Sequence, residues 1–179
     1  IEKLRYGENP HQESAIYSQN NFLKIKHLHG KQLSYNNYND IFAALTISKS
    51  LPKNTGTVII KHANPCGVSV LKDNVECYKS ALACDPLSAF GGIVSCNFKI
   101  KKNLALELKK IFLEVVICNG IENNALKILK NKKNLRIIDS SKLNIINLNN
   151  ISSHFNSFLI QTTDTFSFSK SNFKIVSKV

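Results

Sequence analysis

Residues 57–67 read TVIIKHANPCG. The β-branched run 57–60 has the signature of a buried strand. Asn64, Pro65, Cys66 and Gly67 read as a tight turn. Lys61 and His62 therefore leave a strand directly, where an α/β sheet places its reacting groups. Upstream, Asp40 can cap a helix over IFAALTISKS, with Ile41, Leu45 and Ile47 on or near one face. Pro52, Asn54 and Gly56 break that helix. Downstream, a helix opens at Asp73 or Asn74 and ends before Pro86. Strand patterns follow at 92–96, 115–118 and 135–138, separated by helical patterns at 103–112 and 122–130. This alternation predicts an α/β fold of three αβα layers around a mainly parallel sheet. Ligands of such sheets collect at the carboxyl ends of the strands.

The chain has 179 residues, begins at Ile1 and contains no Met, which reads as a piece of a longer protein. Hydrophobic residues at 43% and charged residues at 20% describe a folded globular chain. No apolar run reaches the roughly 18 residues of a membrane span, and the first ten residues lack the apolar stretch of a secretory signal. The odd set Cys66, Cys77, Cys84, Cys96 and Cys118 reads as reduced thiols of a cytoplasmic protein. A net charge of +12 invites a nucleic-acid reading. The basic residues argue otherwise: 22 are lysine and only Arg5 and Arg136 are arginine, while Asn also occurs 22 times. Such a bias is what A/T-rich coding produces, and nucleic-acid readers lean on arginine for forked and stacked contacts. The lysines read as a solvated surface, and neither nucleic acid nor membrane is expected as a partner.

Four segments can carry chemistry. In KHANPCG (61–67), His62 can act as a general base near neutral pH, and Lys61 can hold negative charge. Alone, the pair is better explained by a packed histidine and a solvent-facing lysine. In DPLSAFGGIV (85–94), Gly91 and Gly92 permit close approach of a ligand to the backbone, though the segment is not a phosphate loop. In LRYGENPHQ (4–12), Arg5 offers a fork for phosphate or carboxylate and Tyr6 a ring for stacking. GKQLSYNN (30–37) supplies amides suited to a polar heterocycle. A zinc-deaminase pattern is half present: His11, Gln12 and Glu13 match H-x-E, and Pro65-Cys66 begins P-C-x-x-C, but Ser69 stands at the second cysteine. Two ligands fall short of a catalytic zinc site, and no metal is expected.

Together and in this order, LRYGENPHQ, GKQLSYNN, KHANPCG and CDPLSAFGGIV resemble the transformylase domain of the bifunctional purine biosynthesis family, which joins AICAR formyltransferase to IMP cyclohydrolase. A weaker likeness continues through EVVICNG (114–120) and FLIQ (158–161). The resemblance implies a cytidine-deaminase-like fold without zinc. It implies formyl transfer from the co-substrate 10-formyltetrahydrofolate to AICAR, so that AICAR and a folate are the small-molecule partners. His62 and Lys61 are the implied catalytic residues, and Arg5, Tyr6, Asn37, Gly91 and Glu114 the implied substrate contacts. Residues 1–37 are then substrate-binding loops, 38–139 the α/β core, and 140–179 a loop and further strands at 155–161 and 173–179. A cyclohydrolase domain is expected upstream and a second transformylase half downstream, with a homodimer as the full-length protein. Two departures stand out: Asn156-Ser157 where the family has Gly-Gly, and Cys118-Asn119-Gly120 where it favours Ala-Pro. A basic nucleic-acid module and an inactive folded remnant are the alternative readings.

Overall fold

The structure, a computed structural model, describes residues 1–18, 25–143, 149–164, 174 and 176. In chain order its elements are β1 (Glu2–Lys3), β2 (Ala15–Ile16), β3 (Lys26–His29), α1 (Tyr35–Ser50), β4 (Gly56–Lys61), β5 (Asn64–Val70), α2 (Asn74–Cys84), α3 (Pro86–Ala89), β6 (Gly92–Cys96), α4 (Lys102–Leu108), β7 (Leu113–Cys118), α5 (Asn123–Lys130), β8 (Arg136–Asp139), β9 (Asn150–His154) and β10 (Ser157–Gln161). The chain forms two compact units, 1–143 and 144–179. The first holds a six-stranded sheet in the order β3-β8-β7-β6-β4-β5, together with the small antiparallel pair β1-β2. In the second, β9 and β10 form an antiparallel hairpin whose turn carries Phe155 at φ 50, next to the Asn156-Ser157 departure. The expected strand at 173–179 lies outside the described residues, apart from positions 174 and 176.

The expectation of a mainly parallel sheet is overturned. Only β6-β7 and β7-β8 pair in parallel; β3-β8, β4-β6 and β4-β5 are antiparallel. The reason lies at residues 61–70. The segment Asn64–Val70 is not a turn but an edge strand, β5, paired back onto β4. Its proline is tolerated because an edge strand leaves one row of backbone groups unpaired. Ile59 pairs with Gly67 and Ile60 with Pro65, so Cys66 is the extra residue of a β-bulge. The actual turn is His62-Ala63. A two-residue loop can only join antiparallel strands, so it reverses the chain once more than a strand–helix–strand reading allows.

Central strands buried on both faces read as continuous apolar runs, as GTVIIK, GIVSC and LEVVIC do here. Alternate residues serve opposite layers. Val58, Ile60, Ile93, Val115, Ile117 and Ile138 pack with Ile41, Ala44 and Leu45 of α1, and Leu4 and Leu33 join them. Ile59, Val94, Val116 and Ile137 pack instead with residues of α2, α4 and α5, among them Tyr78, Leu104, Leu108 and Leu129. Helix α1 on one face and α2, α4 and α5 on the other, joined by Ala89 of the short α3, give the three layers expected.

Helix α1 begins at Tyr35 rather than after Asp40. Ser34 is its N-cap: the Ser34 hydroxyl accepts from the Asn37 amide at 3.3 Å, and the Asn37 side chain accepts from the Ser34 amide at 3.2 Å. This is a capping box with Asn at its third position. Asp40, on the second turn, is released for another task. Helix α4 stops at Leu108, short of the expected Phe112, whose ring lies 5.4 Å from that of Phe90.

Gly67 shows how closely β5 approaches α2. A Cβ built there would lie 2.0 Å from the Ala81 carbonyl oxygen. Gly67→Ala must push strand and helix apart, and overpacking of this kind costs about 1–3 kcal/mol or more. A clear fall in melting temperature is expected; an unchanged melt would contradict the close packing of β5 on α2.

Candidate functional site

The sheet edge where β4 ends is built from sequence-distant pieces. Because β4 runs against β6, the carboxyl end of β4 lies beside the amino ends of β6, β7 and β8. Lys61 closes β4, Gly91 immediately precedes β6, Glu114 is the second residue of β7, and Arg136 is the first of β8. Lys61 does stand at a strand's carboxyl end, as expected, but three of its neighbours approach from amino ends.

At the hairpin tip both loop residues are left-handed, His62 at φ 53 and Ala63 at φ 59, as a type I′ turn requires. Neither is glycine, and such a conformation costs about 1–3 kcal/mol per residue. Two side chains brace it. Asn64 Nδ2 donates to the His62 carbonyl at 2.8 Å, and Asp40 Oδ1 accepts from the Ala63 amide at 2.7 Å. A hydrogen bond to a charged group contributes about 1.5–3 kcal/mol, enough to offset the strain of one such residue. The tip holds His62 exposed, with Lys61 half-buried beneath it. His62 is therefore not the packed core histidine of the plainer reading.

The Lys61 ammonium donates to the Gly91 carbonyl at 3.0 Å and to the Phe90 carbonyl at 3.3 Å. Gly91 sits at φ +69, and a Cβ there would lie 3.1 Å from Lys61 Nζ and 3.3 Å from the Phe112 ring. This position needs glycine for both backbone and space. An ammonium has three N–H donors, so these two contacts leave one for a further acceptor.

A second group lies around Glu114. Asn37 Nδ2 donates to Glu114 Oε2 at 3.2 Å, and Arg136 Nη1 lies 3.9 Å from the same oxygen. Since Asn37 Oδ1 already accepts from Ser34, the buried Asn37 amide ties the cap of α1 to a carboxylate on β7. Arg136 has a side chain only 11% exposed. Burial pushes its pKa down, Glu114 opposes this, and the charge of Arg5 adds to it, so the two arginines feel one another. Arg5 folds onto its neighbour: its guanidinium carbon stands 4.7 Å from the Tyr6 ring centre, and Nη2 donates to the Tyr6 hydroxyl at 3.1 Å. The Tyr6 carbonyl accepts from the Tyr35 amide at 3.3 Å, docking this loop on the start of α1.

Asp40 joins the two groups. Burial raises its carboxyl pKa most; the Ala63 amide, His62 and Lys61 pull it down, and Glu114 pushes it up. All seven residues expected from sequence thus belong to the same compact unit and converge on one edge of its sheet. The sequence does not single out Asp40, which its pattern offers as a cap, nor Arg136, although Arg136 carries the same signal as Arg5: a fork kept where lysine prevails. Nor does it single out the Phe90–Phe112 pair flanking Gly91. Among the described residues no group of three or more His, Cys, Asp or Glu side chains is placed to hold a metal ion, and no helix is long and apolar enough to cross a membrane.

Comparison with known proteins agrees with the motif order. The family model described as AICARFT/IMPCHase bienzyme matches residues 1–179. The bifunctional purine biosynthesis protein PurH of Bacillus cereus (strain ATCC 10987 / NRS 248) is 42% identical over 184 residues, covering 98% of this chain and 35% of its own length. PurH of Bacillus anthracis (strain CDC 684 / NRRL 3495) is 41% identical over the same shares of both chains. The chain thus spans about a third of the length of these curated relatives.

The Gly91 geometry generates a direct test. In Gly91→Ala the left-handed backbone alone should cost about 1–2 kcal/mol. The new methyl should also displace the Lys61 ammonium from its carbonyl pair. The variant should melt a few degrees lower, and its structure should show Lys61 Nζ moved off the Gly91 carbonyl. A variant that keeps both melting temperature and contact would refute this packing.

Proposed function

The chain belongs to the AICARFT/IMPCHase bienzyme family, and from that membership we propose that it supplies one wall of an active site moving a formyl group from 10-formyltetrahydrofolate to the exocyclic amine of AICAR. The observation that carries this reading is the joint placement of a fixed ammonium, Lys61, and an exposed imidazole, His62, at one hairpin tip beside the Gly91 turn. The amine of AICAR is conjugated to its ring and carboxamide, so it is a weak nucleophile. As its nitrogen bonds to the formyl carbon, His62 accepts the proton that the amine sheds. The remaining N–H of Lys61 meets the oxygen on which negative charge develops. The bond from the formyl carbon to the folate nitrogen then breaks, and that nitrogen takes up the proton that His62 accepted, which restores the neutral imidazole. Glu114, aimed by Asn37 and Arg136, and Arg5 with Tyr6 are assigned to holding AICAR.

The same reading carries cyclohydrolase chemistry in a part of the protein outside this chain, a homodimer as the full-length form, and a cytoplasmic location. It also carries the cytidine-deaminase-like arrangement without zinc, supported by the family resemblance and the half-matched H-x-E and P-C-x-x-C pattern.

In the full-length protein, His62→Ala should lower turnover by at least about 10²-fold, the scale of a lost general base, while AICAR affinity changes far less. Near-normal turnover would remove His62 from the reaction. Arg5→Lys should weaken AICAR binding, because a point charge cannot reproduce a planar fork. Equal affinity in calorimetric titration would make Arg5 a plain surface residue.

A further inference from the structure

We infer that Asp40 is a positioning residue for this reaction: by accepting the Ala63 amide it holds the left-handed His62-Ala63 loop in place and so aims the His62 imidazole. The inference rests on the formyl-transfer reading above. Three observations carry it. The contact is short, 2.7 Å, and reaches from the second turn of α1 to the hairpin tip across 23 residues of sequence. It falls on a backbone amide between a histidine and an asparagine, not on a side chain, so it fixes main-chain geometry rather than neutralising a charge. And it braces the loop where two consecutive non-glycine residues have positive φ, a conformation the chain leaves readily unless something holds it.

The other brace, Asn64 Nδ2 on the His62 carbonyl, lies within the hairpin and moves with it. Asp40 is different, because it belongs to a helix packed on the sheet through Ile41, Ala44 and Leu45. It anchors the tip to the body of the unit. Helix α1 also carries Asn37, which reaches Glu114. One rigid element therefore sets both the imidazole and the carboxylate, so the distance between them is fixed by a single helix. Reacting groups held about 1 Å out of place can lose on the order of 10²-fold in rate, which makes such an anchor matter.

The test compares Asp40→Ala, Asp40→Asn and Asp40→Glu in the full-length protein. The asparagine keeps an oxygen acceptor at the same reach without the charge. The glutamate keeps the charge but moves the acceptor by a methylene, and it guards against an alanine variant that folds poorly. Hydrogen exchange of peptides covering residues 59–66 should accelerate at least tenfold in the alanine and glutamate variants and by less than threefold in the asparagine variant. Formyl-transfer kcat should fall at least tenfold in the first two, with the KM for AICAR within threefold of wild type, and recover to within threefold in the third. On a His62→Ala background, Asp40→Ala should add less than a threefold loss, since it acts through the imidazole. Unchanged tip exchange in Asp40→Ala, an asparagine variant as impaired as the alanine, or a full additional loss on the His62→Ala background would each overturn the inference. A full-length protein without any formyl transfer would remove the reaction itself, and the positioning role with it. Tip exchange unaltered in an otherwise active enzyme removes only the role of Asp40.

Discussion

The reversal at His62-Ala63 is the constraint on which the rest of the unit depends. Two residues is the shortest link between paired strands, and it forces β5 back along β4 rather than across the sheet. With β5 placed at the edge, α2 crosses back and β6 enters on the other side of β4, antiparallel to it. That orientation brings the start of β6, and the starts of β7 and β8 after it, level with the end of β4. A longer loop at 62–63 would relax the strain at the tip. The offset between Lys61 and the Gly91 carbonyl is set separately, by the pairing of β4 with β6.

The two faces of the sheet divide the work. Helix α1 alone covers one face, and its N-terminal turns point at the edge where the polar residues gather: Ser34 caps it, Asn37 reaches β7, and Asp40 reaches the hairpin. Helices α2, α4 and α5 cover the other face with aliphatic side chains and a buried tyrosine. Both faces bury apolar side chains, and α1 adds to its buried face the polar anchors Asn37 and Asp40 that frame the site.

Much of this was legible in the sequence because central strands announce themselves. Runs such as TVII, GIVSC and VVIC are buried on both sides, and their shortness and β-branched content mark them as strands. What was hidden was the edge. Asn64, Pro65 and Gly67 carry strong turn signals, yet they stand in a strand, because an edge tolerates proline and a bulge and because Gly67 is required by the approach of α2. Losing that one strand inverted the inferred direction of those that follow. Ser34 likewise lies outside the apolar periodicity that marks the helix, so the pattern points to Asp40 as its start. The motifs name the residues of the candidate site one by one; the connections between them are not legible, since Asn37–Glu114 and Asp40–Ala63 link positions 77 and 23 residues apart.

The cysteines have a consequence for the protein's chemical ageing. Cys77, Cys96 and Cys118 lie in the core, and each engages a neighbouring oxygen: the carbonyls of Thr55 and Ser69 for Cys77, the Thr57 hydroxyl for Cys96, and the Ile138 carbonyl for Cys118. Burial pushes the Cys118 thiol up to about 12 and the Cys96 thiol higher still, so neither offers thiolate to an oxidant while the sheet is closed. Cys84 is exposed and Cys66 half-covered at the bulge. Peroxide or an alkylating reagent meets those two first, and modification of the other three becomes a clock that runs only while the core stands open.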